Sequence, residues 1–124
     1  MDIIRREDIK KTVCLGRTIW RAVGAEAALD DSISVGFTHF SRKNGIMKAH
    51  KHEREIIYVL DSQGATARFG SESDRLKNAT VLRPGDLLRF QQDEWHIFDL
   101  ADETSYLDIL WIFSVPKNST IDAE

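Results

Sequence analysis

Apolar residues along this chain recur with a period of two far more often than with a helical period. The run Ile33-Ser34-Val35-Gly36-Phe37-Thr38-His39-Phe40 alternates and is rich in strand formers. Residues 65–69 alternate again between Gly64 and Gly70, which read as flanking turns. Ile56-Ile57-Tyr58-Val59-Leu60 is continuously apolar, the pattern of a strand buried on both faces. Further strands are predicted over 18–23, 80–82, 87–90, 96–100 and 106–115. Ser71-Glu72-Ser73-Asp74 and Arg83-Pro84-Gly85-Asp86 are polar turns. Helix signals are weak: residues 25–29 form at most a short turn between Gly24 and Asp30-Asp31. Eight or more short strands separated by turns predict an all-β sandwich or closed barrel.

Length makes this a single domain spanning 1–124, with a barrel core over about 18–115, an arm over 1–11 and a tail over 118–124. The arm carries Arg5, Arg6, Lys10 and Lys11 beside Glu7 and Asp8 and reads as a short arm or helical turn, solvated in its plainer reading. A chain of this size buries roughly two-thirds of its unfolded surface, so it can hold a core without disulfides. One cysteine, Cys14, excludes an internal disulfide and any multi-cysteine zinc module. Between Val13 and Leu15 it reads as a small buried apolar residue, and a reducing cytoplasm is the expected setting. No apolar run approaches a membrane span or the core of a secretory signal. Lys and Arg number 17 against 20 Asp and Glu, a net charge of −3, which leaves no whole-domain attraction for nucleic acid or an anionic membrane.

Candidate chemistry lies in the histidines. His50-Lys51-His52 places two imidazoles at i and i+2, which share a face in a strand. Glu55 directly precedes the apolar run 56–60. Burying that carboxylate without a partner would cost several kcal/mol, a cost that a cation removes. His96 is framed by Trp95, Ile97 and Phe98. Singly, each has a plainer reading: a surface pair, a hydrogen-bonded core histidine, and a solvated charge run at Glu53-Arg54-Glu55.

Spacing joins them. Gly45 precedes His50 and His52, Glu55 follows, and Gly64 closes the segment. Further on, Pro84-Gly85-Asp86 leads to His96. Over about residues 35–113 this resembles the two motifs of the cupin superfamily. Ser62 stands where the first motif has glycine, and Gln91, Asp93 and Leu100 replace the proline, glycine and asparagine of the second. The resemblance implies an antiparallel jelly-roll β-barrel and a homodimer. It also implies a metal centre of His50, His52, Glu55 and His96, with Glu53 as the alternative carboxylate. Three imidazoles and one carboxylate suit one divalent transition metal ion (Fe, Mn, Ni, Cu or Zn) rather than Ca or Mg, and leave positions open for a ligand. His39 matches no ligand position. It shares parity with Ile33, Val35 and Phe37, so it is expected to face inward or an interface, in the core or in support of a ligand.

Barrel mouths carry ligand sites. Lys48, Tyr58, Arg89, Trp95, Phe98, Tyr106 and Trp111 are the candidate lining residues, although parity turns Tyr58 away from Glu55, Ile57 and Val59. Arg89 interrupts the strand over 87–90 and either reaches solvent or meets an anion. Trp20, Trp111 and Phe113 are assigned to the core or to a dimer contact. The functional expectation is a metal-dependent enzyme acting on a small organic molecule, of the dioxygenase, isomerase or lyase class. The alternatives are a non-enzymatic small-molecule binding or sensing barrel, and a structural barrel with a vestigial site.

Overall fold

In the computed structural model, residues 1–24, 33–51, 54–91 and 93–113 are described. The expected turn at 25–29, His52, Glu53 and the tail at 118–124 lie outside them.

Nine strands are described: β1 (Lys11–Cys14), β2 (Arg17–Val23), β3 (Ser34–Phe40), β4 (Glu55–Gln63), β5 (Ala65–Gly70), β6 (Asn78–Val81), β7 (Leu87–Phe90), β8 (Trp95–Leu100) and β9 (Tyr106–Phe113). All their pairings are antiparallel, in a six-stranded sheet of order β1-β2-β3-β9-β4-β7 and a three-stranded sheet of order β6-β5-β8. The core draws on both sheets: Ile19, Phe40, Ile57, Val59, Leu107, Ile109 and Trp111 from the first, Ala65, Ala67 and Phe98 from the second. This is the expected jelly-roll, two sheets closing on one apolar interior.

Alternation explains most of the packing. On β9, Leu107, Ile109, Trp111 and Phe113 are buried while the residues between them are half-buried. On β4, Glu55, Ile57 and Val59 point inward. Ile56, Tyr58 and Leu60 are 41%, 42% and 39% exposed, so this strand is not buried on both faces as its composition suggested. Its outer face is uncovered because the antiparallel sheet buries one side only.

Strand β3 reverses its expected facing. Ser34, Gly36, Thr38 and Phe40 are buried, and Val35, Phe37 and His39 lie on the outer side. The Trp111 indole sets this arrangement. Its Nε1 donates to Thr38 Oγ1 at 2.8 Å, and a Cβ on Gly36 would stand 2.3 Å from its Cζ2. Small residues must therefore face the tryptophan. His39 is accordingly neither core nor a neighbour of the cavity, and its Nδ1 lies 3.1 Å from Asp108 Oδ1 on the outer face.

The N-terminal arm departs from a freely solvated segment. Its helical turn, one of the expected readings, is a 3-10 turn at Arg6–Asp8, but β1, which alternation did not predict, pairs with β2 across Leu15-Gly16. Gly16 takes a φ of 75°, the left-handed value that closes this connection. Arg6 reaches the outer face of the large sheet. Its guanidinium makes two hydrogen bonds to Asp108, at 2.8 and 2.7 Å, and lies 4.3 Å from the Trp20 ring centre and 4.9 Å from that of Phe37. Burial raises the Asp108 carboxyl, but hydrogen bonds from Arg6 and His39, with their charges, bring it below its usual value. Cys14 is half-buried rather than buried and packs against the core.

Candidate functional site

Three inward positions converge between the sheets. Glu55 opens β4, opposite Phe90 of β7 and Phe113 of β9. His96 is the second residue of β8 and lies opposite Phe69 of β5. His50 lies outside the strands but pairs with His96 as an isolated bridge, each residue donating its N–H to the other's carbonyl at 3.0 and 2.9 Å. This reciprocal pair places both side chains on one face, with ring centres 4.7 Å apart at 64°.

The groups bear on each other closely. His96 Nε2 lies 3.7 Å from Glu55 Oε1, and both side chains are nearly inaccessible, at 1% and 6% exposure. Phe90 stacks on the His96 ring at 4.1 Å and 23°, which fixes its plane. His50 Nδ1 lies 3.1 Å from the Lys48 carbonyl. A carbonyl can only accept, so Nδ1 carries the proton and Nε2 keeps its lone pair. An outer hydrogen bond of this kind orients an imidazole for metal ligation.

Together with Arg17, Ile19, Thr38, Phe40, Ile57, Phe98, Ile109, Trp111 and Phe113, the three line a cavity of about 30 Å³. That space is enough for an ion or for water-sized groups. Phe40 and Phe98, whose rings meet edge to face at 5.1 Å, also line a groove of about 330 Å³ bounded by Gly16, Arg42, Gly45 and Met47. The aromatic pair thus separates the inner cavity from a larger outer space.

Burial controls the electrostatics. The Glu55 carboxyl is pushed up to about 8 by desolvation. At 3.7 Å the His96 ring is beyond hydrogen-bond length of Glu55. Oε1 of Glu55 has no hydrogen-bond partner among the described residues. His50 is pushed down to about 4, chiefly by burial, with the Lys48 carbonyl opposing and the Arg17 charge assisting. Its ring is therefore neutral at ordinary pH, as a ligating imidazole must be.

Of the residues expected as ligands, His50, Glu55 and His96 share this cavity, while His52 lies outside the described residues. Glu53 lies outside them too, so of the two candidate carboxylates only Glu55 is placed, and it faces inward. Among the described residues, no three His, Cys, Asp or Glu side chains are grouped so as to hold a metal ion. The donor chemistry nevertheless fits one: two imidazoles, one with its outer nitrogen tied back, and a buried carboxylate oxygen lacking a hydrogen bond.

The expected lining residues divide. Phe98 and Trp111 do line the cavity, joined by Phe113, which was assigned to the core or a dimer contact, and Trp111, only 3% exposed, is not available as an exposed dimer contact. Tyr58 and Arg89 are exposed on the outer face, and Tyr106 points outward to donate its hydroxyl to Asp61 at 3.0 Å. Trp95 is half-buried beneath the Lys51 ammonium, 5.2 Å from the ring centre. Lys48 is exposed and contributes its carbonyl, not its amine. Arg17, Thr38 and Phe40 were not anticipated. Arg17 shares its parity with Ile19 on β2, and that alternation was the available signal.

No family profile matches the sequence, and no curated protein does. Solved structures do. The polyketide cyclase RemF from Streptomyces resistomycificus superposes with a TM-score of 0.70 at 20% identity, covering 90% of this chain and 78% of its own. A predicted oxalate decarboxylase from Thermotoga maritima gives a TM-score of 0.70 at 14% identity, covering 92% of this chain and 99% of its own. Fe(II)-HppE with its alternative substrate (S)-1-HPP gives 0.66 at 13% identity, covering 90% of this chain and 59% of that one. The chain has the cupin fold.

Proposed function

We propose that this chain binds one divalent transition metal ion through His50, His52, Glu55 and His96. On this reading it is an enzyme acting on a small organic molecule at the coordination positions left open. The observation that carries the proposal is Glu55: a fully desolvated carboxyl beside two imidazoles, one oxygen of which lacks a hydrogen bond. A structural barrel has no use for such a group, whose burial costs several kcal/mol without a cation. The Fe(II) in HppE supports a metal on this fold at the level of analogy.

A bound ion would supply Lewis acidity and an open position for substrate, water or dioxygen. The protein's own residues do the rest. Lys48 holds His50 in the Nδ1–H tautomer, and Phe90 fixes the His96 plane. The apolar walls Ile19, Ile57, Ile109 and Phe113 exclude bulk water, which strengthens every charge interaction within. A dioxygenase, an isomerase and a lyase all suit this arrangement. The second reading, a binding or sensing barrel, draws on the smallness of the inner cavity, about 30 Å³, and its largely apolar lining. The cytoplasmic setting and the homodimer belong to the same proposal, and sedimentation of the purified chain tests the latter.

The experiment is metal analysis by mass spectrometry of untagged protein purified without chelator, beside a His50→Ala/His96→Ala double variant. Near-stoichiometric metal in the parent and little in the variant supports the centre. A parent that takes up none of Fe, Mn, Ni, Cu or Zn overturns it. Turnover of candidate substrates then separates enzyme from sensor.

A further inference from the structure

We propose that the outer face of the large sheet binds the phosphate monoester of a small aliphatic alcohol, its head between Arg54 and Arg89 and its hydrocarbon on Ile56 and Ile112. This site is independent of the proposed metal centre. An open groove of about 690 Å³ lies at the end of the sheet where β3 and β4 begin and β7 and β9 end, lined by Ile33, Arg54, Ile56, Arg89, Gln91 and Ile112. Glu55 and Phe90 border it too, but both side chains are buried on the inner side. Strand register builds the floor. Arg89 pairs with Ile56 and Ile56 with Ile112, so one cross-strand row runs from a guanidinium onto two apolar side chains. Ile56 is 41% exposed and Ile112 half-buried, which leaves that floor accessible. Arg54 directly precedes β4 and brings a second guanidinium to the same groove.

Charge and shape narrow the ligand. Both arginines are exposed, and neither has a hydrogen-bond or ion-pair partner among the described residues. The acids on the turn after β7 are engaged elsewhere: Glu94 accepts from the Gln91 N–H at 3.2 Å, and Asp93 meets the Lys51 ammonium at 3.5 Å. The sequence left Arg89 to solvent or an anion, and a second guanidinium over a shared apolar floor favours the anion. Two positive charges call for a dianion. A phosphate monoester carries about −1.5 to −2 at neutral pH on three acceptor oxygens, which two forked donors from different strands can divide. A singly charged head neutralises one arginine and leaves the other. The groove's volume falls within the range of about 300–1,000 Å³ typical of small-molecule sites. A concave site of that size holds one molecule, and a net charge of −3 gives the chain no general attraction to an anionic bilayer, so the ligand is a free ester.

The test is calorimetric titration of the full-length chain at about pH 8, where the monoester is a dianion, after chelator treatment so that no metal takes up phosphate. The probes are hexyl phosphate, hexyl sulfate, inorganic phosphate and hexanol. Hexyl phosphate should bind saturably and at least about tenfold tighter than inorganic phosphate, the worth of two buried methylene groups. Hexyl sulfate, with one charge, should bind more weakly than hexyl phosphate, and hexanol should not bind. Arg54→Gln and Arg89→Gln should each weaken hexyl phosphate at least about tenfold, the scale of one charge-assisted hydrogen bond. Both side chains are exposed, so these variants keep the fold, which unchanged urea unfolding checks. Ile56→Thr should weaken hexyl phosphate and leave inorganic phosphate as it was. A parent that does not bind hexyl phosphate overturns the proposal, and so does binding that survives undiminished in both arginine variants. Inorganic phosphate bound as tightly as hexyl phosphate removes the apolar floor from the site and overturns it too. Cosedimentation with phosphatidic acid vesicles in place of binding to the free ester moves the site to a membrane and overturns it as well.

Discussion

Removing the charge from Glu55 without removing its shape should stabilise the metal-free protein at alkaline pH. In the folded chain the Glu55 carboxyl is raised from 4.5 to about 8 by burial. Between those values the folded state holds a proton that the unfolded chain has released. Stability therefore falls as pH rises through this window, by up to about 1.4 kcal/mol per unit. His50 works in the opposite sense. Lowered from 6.5 to about 4, it is neutral when folded and charged when unfolded, so it adds stability as pH rises to 6.5. The two slopes oppose each other below 6.5, and only Glu55 acts from there to about 8. That interval spans about 1.5 units, which corresponds to about 2 kcal/mol.

The assay is urea unfolding of chelator-treated parent and Glu55→Gln, followed by tryptophan fluorescence at several pH values across this interval. The parent should lose about 2 kcal/mol relative to Glu55→Gln, with equal m-values in both proteins. The difference between the two is the readout, because other groups titrate alike in each. Saturating metal should reverse the sign in the parent, since the ion selects the ionised carboxylate. Parallel profiles for parent and variant without metal would refute the reasoning, because Glu55 would then ionise as an exposed glutamate does.

Metal affinity of the parent should rise with pH by up to about tenfold per unit until about 8, as Glu55 surrenders its proton, and should level beyond; competition with a chelator of known affinity reads this. Gly36→Ala should destabilise by about 3 kcal/mol or more, since its Cβ would stand 2.3 Å from Trp111 Cζ2 and 2.4 Å from the Trp20 carbonyl oxygen; a lowered melting temperature with a shifted tryptophan emission checks it. Arg6→Ala should cost only about 1 kcal/mol, because the Asp108 pair is partly exposed and the stacking on Trp20 is a surface contact; thermal melts at low and high salt test that ceiling, with part of the loss screened at high salt.

The sequence disclosed the sheets better than the facing of their strands. Strand β9 was legible because Leu107, Ile109, Trp111 and Phe113 alternate with residues that stay half-buried. Strand β3 alternates just as cleanly, and its parity is inverted. No local pattern announces that the Trp111 indole from β9 occupies the space facing Gly36 and takes the Thr38 hydroxyl as its acceptor. Strand β1 carried no signal, since Lys11, Thr12 and Val13 are all exposed and the strand is placed by the turn at Gly16. For β3 the missing information belonged to a partner strand distant in sequence, and for β1 to the turn that pairs it with β2.

The site divides along the same line. Histidines and glutamates announce themselves by type and spacing, so His50, Glu55 and His96 were named before any geometry. Arg17 was not, because an arginine at the start of a strand reads as a solvated end until its register is known. Parity with Ile19 turns it inward, and with Phe40, opposite it on β3, it lines the cavity. The cavity is therefore assembled from two kinds of residue. One kind would select an ion by its chemistry, and the other, visible only through strand register, brings a charge to bear on the His50 ring. Sequence spacing alone can point to the first and is blind to the second.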